Sequence, residues 1–123
     1  MRLPFLIAAL LSLAATAVHG LAGHVETYLP FMEIVMAREV KIAVAADWHA
    51  MTAFMLVSAV AFLWAALTKG AGYKPIGFIF GFFYLAFAGI VAWHSYYWFA
   101  DPLVLSQWLL FAPIGFLSFF AAL

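Results

Sequence analysis

Four histidines, His19, His24, His49 and His94, are the residues of this chain best suited to chemistry. Imidazole binds zinc, copper, iron and nickel, and two imidazoles on facing helices can hold a haem iron from both sides. The ring also titrates near neutrality, which suits a proton relay. Polar side chains accompany them. Asp47 stands two residues before His49, and Thr52 lies one turn further on. Thr16 lies one turn before His19, Tyr97 follows His94 by three residues, and Gln107 opens the last apolar segment. Two chemical readings follow. One is a transition-metal site of His19, His49, His94 and Asp47. The other is a haem or similar cofactor held by His49 and His94. Against both, no two histidines are spaced i, i+4, and His19 and His24 are five apart. Histidine also suits a membrane interface, where its body is apolar and its tip polar. Interfacial hydrogen bonding is therefore the preferred reading, with metal and haem as alternatives. The chain has no cysteine, which excludes thiol chemistry and thiolate ligands.

The elements that must position these residues are membrane helices. Of 123 residues, 70% are hydrophobic and 8% charged. A soluble domain of this size has too little interior for that apolar surface. Lipid can solvate it. The apolar runs are continuous rather than alternating, which predicts helices and not a barrel. Four runs stand out, at residues 3–21, 42–67, 75–98 and 102–123. Each approaches the roughly 20 residues that cross about 30 Å of hydrocarbon. The expected fold is all-α: one domain, residues 1–123, forming an antiparallel up-down bundle of four transmembrane helices.

The connections are unequal. The first, residues 23–41, is the longest and carries Glu26, Glu33, Arg38, Glu39 and Lys41. Pro30 there suggests the start of a short interfacial helix. The second, around Lys69–Lys74, reads as a turn, and the third is only Ala100, Asp101 and Pro102. The first segment also has features of a cleavable signal, with Arg2 ahead of an apolar stretch and Ala15-Thr16-Ala17 behind it. Its long apolar core and single leading charge favour a retained helix. With the N-terminus inside, Arg2, Lys69 and Lys74 are cytoplasmic and Arg38 and Lys41 are outside. The positive-inside rule then places both termini in the cytoplasm. All four histidines fall near the opposite, outer face.

Aromatic residues mark that face: Trp48, Trp93, Tyr96, Tyr97, Trp98 and Trp108. They form the belt expected at a headgroup boundary. Small residues form a second pattern. Gly77 and Gly81 make a GxxxG, Ala8, Ser12, Thr16 and Gly20 recur every four residues, and so do Ala61 and Ala65. Small residues let membrane helices approach closely. Packing within the bundle is the expected use of Gly77 and Gly81, with a homodimer interface as the alternative. Pro113 falls inside the fourth segment and should kink it.

Trp48-His49 opening the second segment, and Gln107-Trp108 ahead of Pro113-Ile114-Gly115 in the fourth, resemble small four-span bacterial inner-membrane proteins. The likeness covers most of the chain. It implies a four-helix protein of the bacterial inner membrane and no particular activity. No segment carries a charge near its centre, which argues against proton-coupled export of cations. No phosphate-binding loop, nucleophile motif or basic block is present, so nucleotide chemistry and nucleic-acid binding are not expected. The expected function is that of a non-catalytic accessory or assembly protein, working in the bilayer through contacts with other membrane proteins. An outer-face metal or haem protein and a small oligomeric transporter are the alternatives.

Overall fold

The computed structural model describes residues 1–69 and 72–123. Gly70 and Ala71, at the heart of the expected second turn, lie outside the described residues. Four helices carry the chain: α1 (Leu3–Glu33), α2 (Arg38–Leu67), α3 (Lys74–Phe99) and α4 (Trp108–Ala122). The first three are long and apolar enough to cross a membrane. No strand occurs among the described residues.

Two boundaries differ from the sequence expectation. The first connection is not a loop from 23 to 41. α1 runs on through Gly23 to Glu33, and α2 starts at Arg38, so only residues 34–37 connect them. Hydropathy marks where the bilayer ends, not where a helix ends. Glu, Arg and Lys are good helix formers, and a helix continues into water through them. At about 1.5 Å per residue, the 31 residues of α1 extend roughly 46 Å, well beyond about 30 Å of hydrocarbon. Lys41 Nζ donates to Met32 O at 2.7 Å and ties the two helix ends together.

The fourth expected span, 102–123, is also corrected. α4 begins only at Trp108 and has 15 residues, about 22 Å of helix. Local hydrogen bonds divert the backbone before it. Asp101 Oδ1 accepts from Leu103 N at 2.8 Å. Ser95 Oγ donates to Asp101 O at 2.7 Å and accepts from Leu105 N at 3.0 Å. Trp108 Nε1 donates to Pro102 O at 2.8 Å. Such side-chain bonds offer the backbone an alternative to the helix. α3 itself stops where Ala100 adopts a left-handed φ of 53° and donates to Tyr96 O at 2.8 Å. Pro113 sits inside α4 without ending it.

α1 packs along α2 and against α4, and α3 packs along α4, while the α2 and α3 backbones stay further apart and meet through rings, Phe54 and Phe62 against Phe80 and Tyr84. The N-terminal end of α1 lies at the C-terminal end of α2. Arg2 N donates to Ala66 O at 2.9 Å, and the Arg2 guanidinium lies 3.6 Å above the Tyr73 ring. A cation there also complements the negative end of the α2 dipole.

The interior is built of small residues and a few rings. Phe5, Ala8, Ser12 and Ala15 of α1 meet Met55, Ser58 and Phe62 of α2, Tyr84 and Ala88 of α3, and Phe111 and Ile114 of α4. Large apolar side chains such as Leu10, Val57, Phe82 and Phe116 point outward. Large residues outside and small ones inside is the pattern of helices that associate in lipid. The GxxxG is used within the bundle. A Cβ at Gly77 would meet Ala122 Cβ and Ser118 O at 2.6 Å, and one at Gly81 would meet Phe119 N at 3.1 Å. The recurring small residues of α1 likewise face α2: Ser12 Oγ donates to Met55 O at 2.8 Å, and a Cβ at Gly20 would meet Thr52 at 3.3 Å.

Three buried hydroxyls join the centre of the bundle. Ser12, Ser58 and Tyr84 are fully buried and lie within hydrogen-bonding distance of one another, with Ser58 Oγ 2.7 Å from Tyr84 Oη and 2.8 Å from Ser12 Oγ. Ser58 also donates to Met55 O at 2.8 Å. Both serines spend their protons on Met55 O, so the Tyr84 proton goes to a serine oxygen. Tyr84→Phe removes that one bond and leaves both serines satisfied as donors. We expect a loss of about 1 kcal/mol in denaturant unfolding of the protein in mixed micelles.

Candidate functional site, a cavity at the histidine end

A cavity of about 540 Å³ lies at the end of the bundle that carries His19. α1 contributes Ala15, Val18, His19, Gly23 and Thr27 to its wall. Trp48, Met51 and Met55 of α2 face it, with Val91 of α3 and Leu110 and Phe111 of α4. Ser106 and Gln107, from the turn before α4, complete the rim. The volume falls inside the range of about 300–1,000 Å³ typical of small-molecule sites. Its composition suits such a site as well, with mostly apolar walls and a few polar groups.

Local structure explains how each element reaches it. Within α1, Val18–Ala22 and His24–Tyr28 form π-helical turns on either side of Gly23. An i→i+5 turn winds more loosely than an α-turn, and such turns recur at functional sites. Looser winding reduces the drift of residues spaced four apart. Ala15, His19, Gly23 and Thr27 therefore stay on one face and line the cavity together. A side chain at Gly23 would press on Trp48, since a Cβ there would lie 3.3 Å from the indole. On the α4 side, the hydrogen bonds of Ser95 and Asp101 hold the turn that delivers Ser106 and Gln107.

The His19 and Trp48 rings stack at the wall, with centroids 4.0 Å apart and planes 25° from parallel. Thr52 Oγ1 donates to Trp48 O at 3.0 Å. Thr52 Oγ1 also lies 3.0 Å from His19 Nδ1, and which of those two atoms donates depends on the imidazole tautomer. The Trp48 Nε1–H is buried and has no hydrogen-bond partner, the one such side-chain atom among the described residues. An unmet donor in a low-dielectric setting costs about 1–3 kcal/mol.

His24 and His49 come together beside this wall. Their rings are 6.2 Å apart, with Tyr28 stacked on His24 at 4.8 Å and 5.5 Å from both His49 and Trp48. These rings pack the extension of α1 onto the start of α2. His94 stands apart: it is exposed, and its Nδ1 donates to Ile90 O of its own helix at 2.9 Å. The residues read as a ligand set, His19, His49, His94 and Asp47, are not brought together as a group. Among the described residues, no three His, Asp or Glu side chains converge on a metal-sized point. The cause is geometric: both His94 and Asp47 are on exposed faces. His49 packs beside His24 and Tyr28, and His94 bonds to its own helix.

The chain matches no known protein family, no curated protein and no solved structure. The site must therefore be read from its own geometry. The sequence reading puts Thr52 with His49, Thr16 with His19 and Gln107 at the start of the last segment; the structure sets Thr52 against His19 and brings His19 and Gln107 to one cavity. It missed the cavity itself, and it assigned Trp48 and Trp108 to the interfacial belt along with Trp93, Tyr96, Tyr97 and Trp98; the last four are exposed, whereas Trp48 and Trp108 are half-buried. Thr27 and Ser106 gave no signal, being ordinary polar residues near apolar segments. The one available hint for Trp48 was its place within the same turn as Thr52 and next to His49.

Proposed function

We propose that this chain is an antiparallel up-down four-helix protein of the bacterial inner membrane, and that it acts as a non-catalytic accessory protein holding a small membrane-soluble molecule. The observation that carries the reading is the cavity of about 540 Å³ with His19, Trp48, Ser106 and Gln107 on its wall. Its apolar half, Ala15, Met55 and Phe111, reaches the buried core, and its polar half lies at the rim. That gradient suits a molecule with an apolar body and a polar end. Three of the four helices around it are long and apolar enough for a bilayer, so the molecule can arrive from lipid. Arg2, Lys69 and Lys74 at the opposite end support placing both termini in the cytoplasm and the cavity towards the outer face.

No group in the cavity is an activated nucleophile with a base oriented on it, which is why binding rather than catalysis is proposed. The test uses Val91→Trp, which puts an indole into the cavity. Protein purified in mild detergent is extracted with organic solvent, and the extract is analysed by mass spectrometry. A small molecule enriched with the wild type and reduced at least tenfold with Val91→Trp is expected. Equal recovery from both, with Val91→Trp shown to be folded by circular dichroism, overturns the reading.

A further inference from the structure

Resting on that reading, we infer that the molecule in the cavity is uncharged: a lipophile whose polar end is an alcohol, amide or ester, and not a carboxylate, phosphate or amine. Charge is missing from a wall built where charge is plentiful. Glu26, Glu33, Arg38, Glu39, Lys41 and Asp47 gather where α1 ends and α2 begins. Among the described residues that line the cavity, none is Asp, Glu, Lys or Arg. Glu26 adjoins Thr27 in sequence and Asp47 adjoins Trp48, so each stands one residue from the wall. Both are exposed and off it. With 3.6 residues per turn, neighbours in a helix point about 100° apart, so a wall residue and the carboxylate beside it take different faces. His19 is the one titratable side chain on the wall. It stacks on the Trp48 ring at 4.0 Å and lies 3.0 Å from Thr52, and neither of those carries a charge.

The cost of an ion follows from this lining. Met55 and Phe111, on the inner part of the wall, belong to the buried core. An ion drawn in beside them loses its water and meets no opposite charge, which is the expensive form of burial. An uncharged polar head loses much less, and partners of its own kind await it. Thr27 and Ser106 each bring a hydroxyl and Gln107 brings an amide, groups that both donate and accept. Met51, Val91 and Leu110 offer an apolar, partly flexible surface to the body of the molecule.

Two readouts test the inference. In the solvent extract, the molecule that Val91→Trp removes is expected to carry no charge at pH 7. For direct binding, dodecanamide, dodecanesulfonate and dodecyltrimethylammonium share one apolar chain and differ in the charge of the head. Each is titrated in tritiated form against full-length protein in digitonin micelles at pH 8, with Val91→Trp protein reporting uptake by the micelle alone. We expect the amide to bind at least tenfold more tightly than either ion. Ser106→Lys places a cation at the rim and should raise sulfonate affinity at least fivefold, and Ser106→Asp should do the same for the ammonium. Ser106 is exposed, so both variants should fold, and circular dichroism checks that they do. An ion bound by the wild type as tightly as the amide, or a charged molecule in the extract that Val91→Trp removes, overturns the uncharged class and leaves a binding cavity in place. A preference for the amide that neither rim substitution alters overturns its assignment to the uncharged wall. No uptake of any probe, beside an uncharged molecule that Val91→Trp removes, upholds the class and rejects a plain alkyl chain as its body. No uptake and no such molecule overturn both readings.

Discussion

Gly77→Val should leave little folded protein. Three atoms lie within 3.0 Å of where a Cβ at Gly77 would sit: Ala122 Cβ and Ser118 O at 2.6 Å and Phe5 Cζ at 2.8 Å. One of them is backbone and cannot rotate away. Valine adds two methyl groups beyond that Cβ, so α3 must move off α4 and α1 together. Overpacking of a tight core costs about 1–3 kcal/mol, and a contact with backbone belongs at the upper end, about 3 kcal/mol. Denaturant titration in mixed micelles, followed by circular dichroism, measures it. Gly89→Val is the control, because a Cβ at Gly89 meets nothing within 4 Å. It should change stability by less than about 0.5 kcal/mol. Equal behaviour of the two variants would show that α3 does not use Gly77 to approach α4. A Gly77→Val protein that stays folded but loses self-association would instead place the glycines at an interface between copies.

Phe62→Ala is expected to have the second large effect, about 3 kcal/mol in the same titration. Phe62 is fully buried where α1, α2 and α3 meet. Its ring stands 6.2 Å from Phe5, 5.6 Å from Phe80 and 6.1 Å from Tyr84. Truncation leaves a void that none of these rings can fill without losing its other contacts. In lipid the unfolded helices are still surrounded by hydrocarbon, so little of the loss is hydrophobic transfer. It is lost dispersion and a remaining cavity, the term that depends on how far the site can collapse. Phe62→Leu should recover roughly half of it. A truncation that costs less than about 1 kcal/mol would mean that the bundle closes over the gap, and that its packing is looser than the ring geometry indicates.

Much of the architecture was legible in the residues alone. Apolar content, the continuity of the apolar runs and the absence of alternation point to helices, because a backbone without water is satisfied only in a helix or a closed barrel, and a barrel alternates. Small residues at spacing four marked the faces that pack, and Gly77, Gly81, Ser12 and Gly20 are found there. Helix ends were less legible. Polarity at Glu26, Glu33 and Arg38 was read as a loop, yet the chain is helical there except at residues 34–37. The fourth span was read from hydropathy as starting at Pro102, yet bonds of Ser95 and Asp101 delay α4 to Trp108. The centre of the bundle looked wholly apolar, since single serines and tyrosines stand out in no window of sequence. Ser12, Ser58 and Tyr84 are 72 residues apart at their extremes and meet only across three helices.

The sequence by itself determined the secondary structure and the apolarity of its helices, because both depend on local composition: three of the helices are long and apolar enough to cross a membrane. It also supplied the histidines, but not their company. Which side chains share a wall depends on the rotation and separation of helices. Those depend in turn on two π-turns in α1, on glycine-close packing of α3 against α4, and on a hydrogen-bonded turn before Trp108. These are contacts between residues distant in sequence, and no local pattern encodes them. For that reason His94 left the expected histidine group, and Trp48 moved from the interfacial belt to the wall of a cavity.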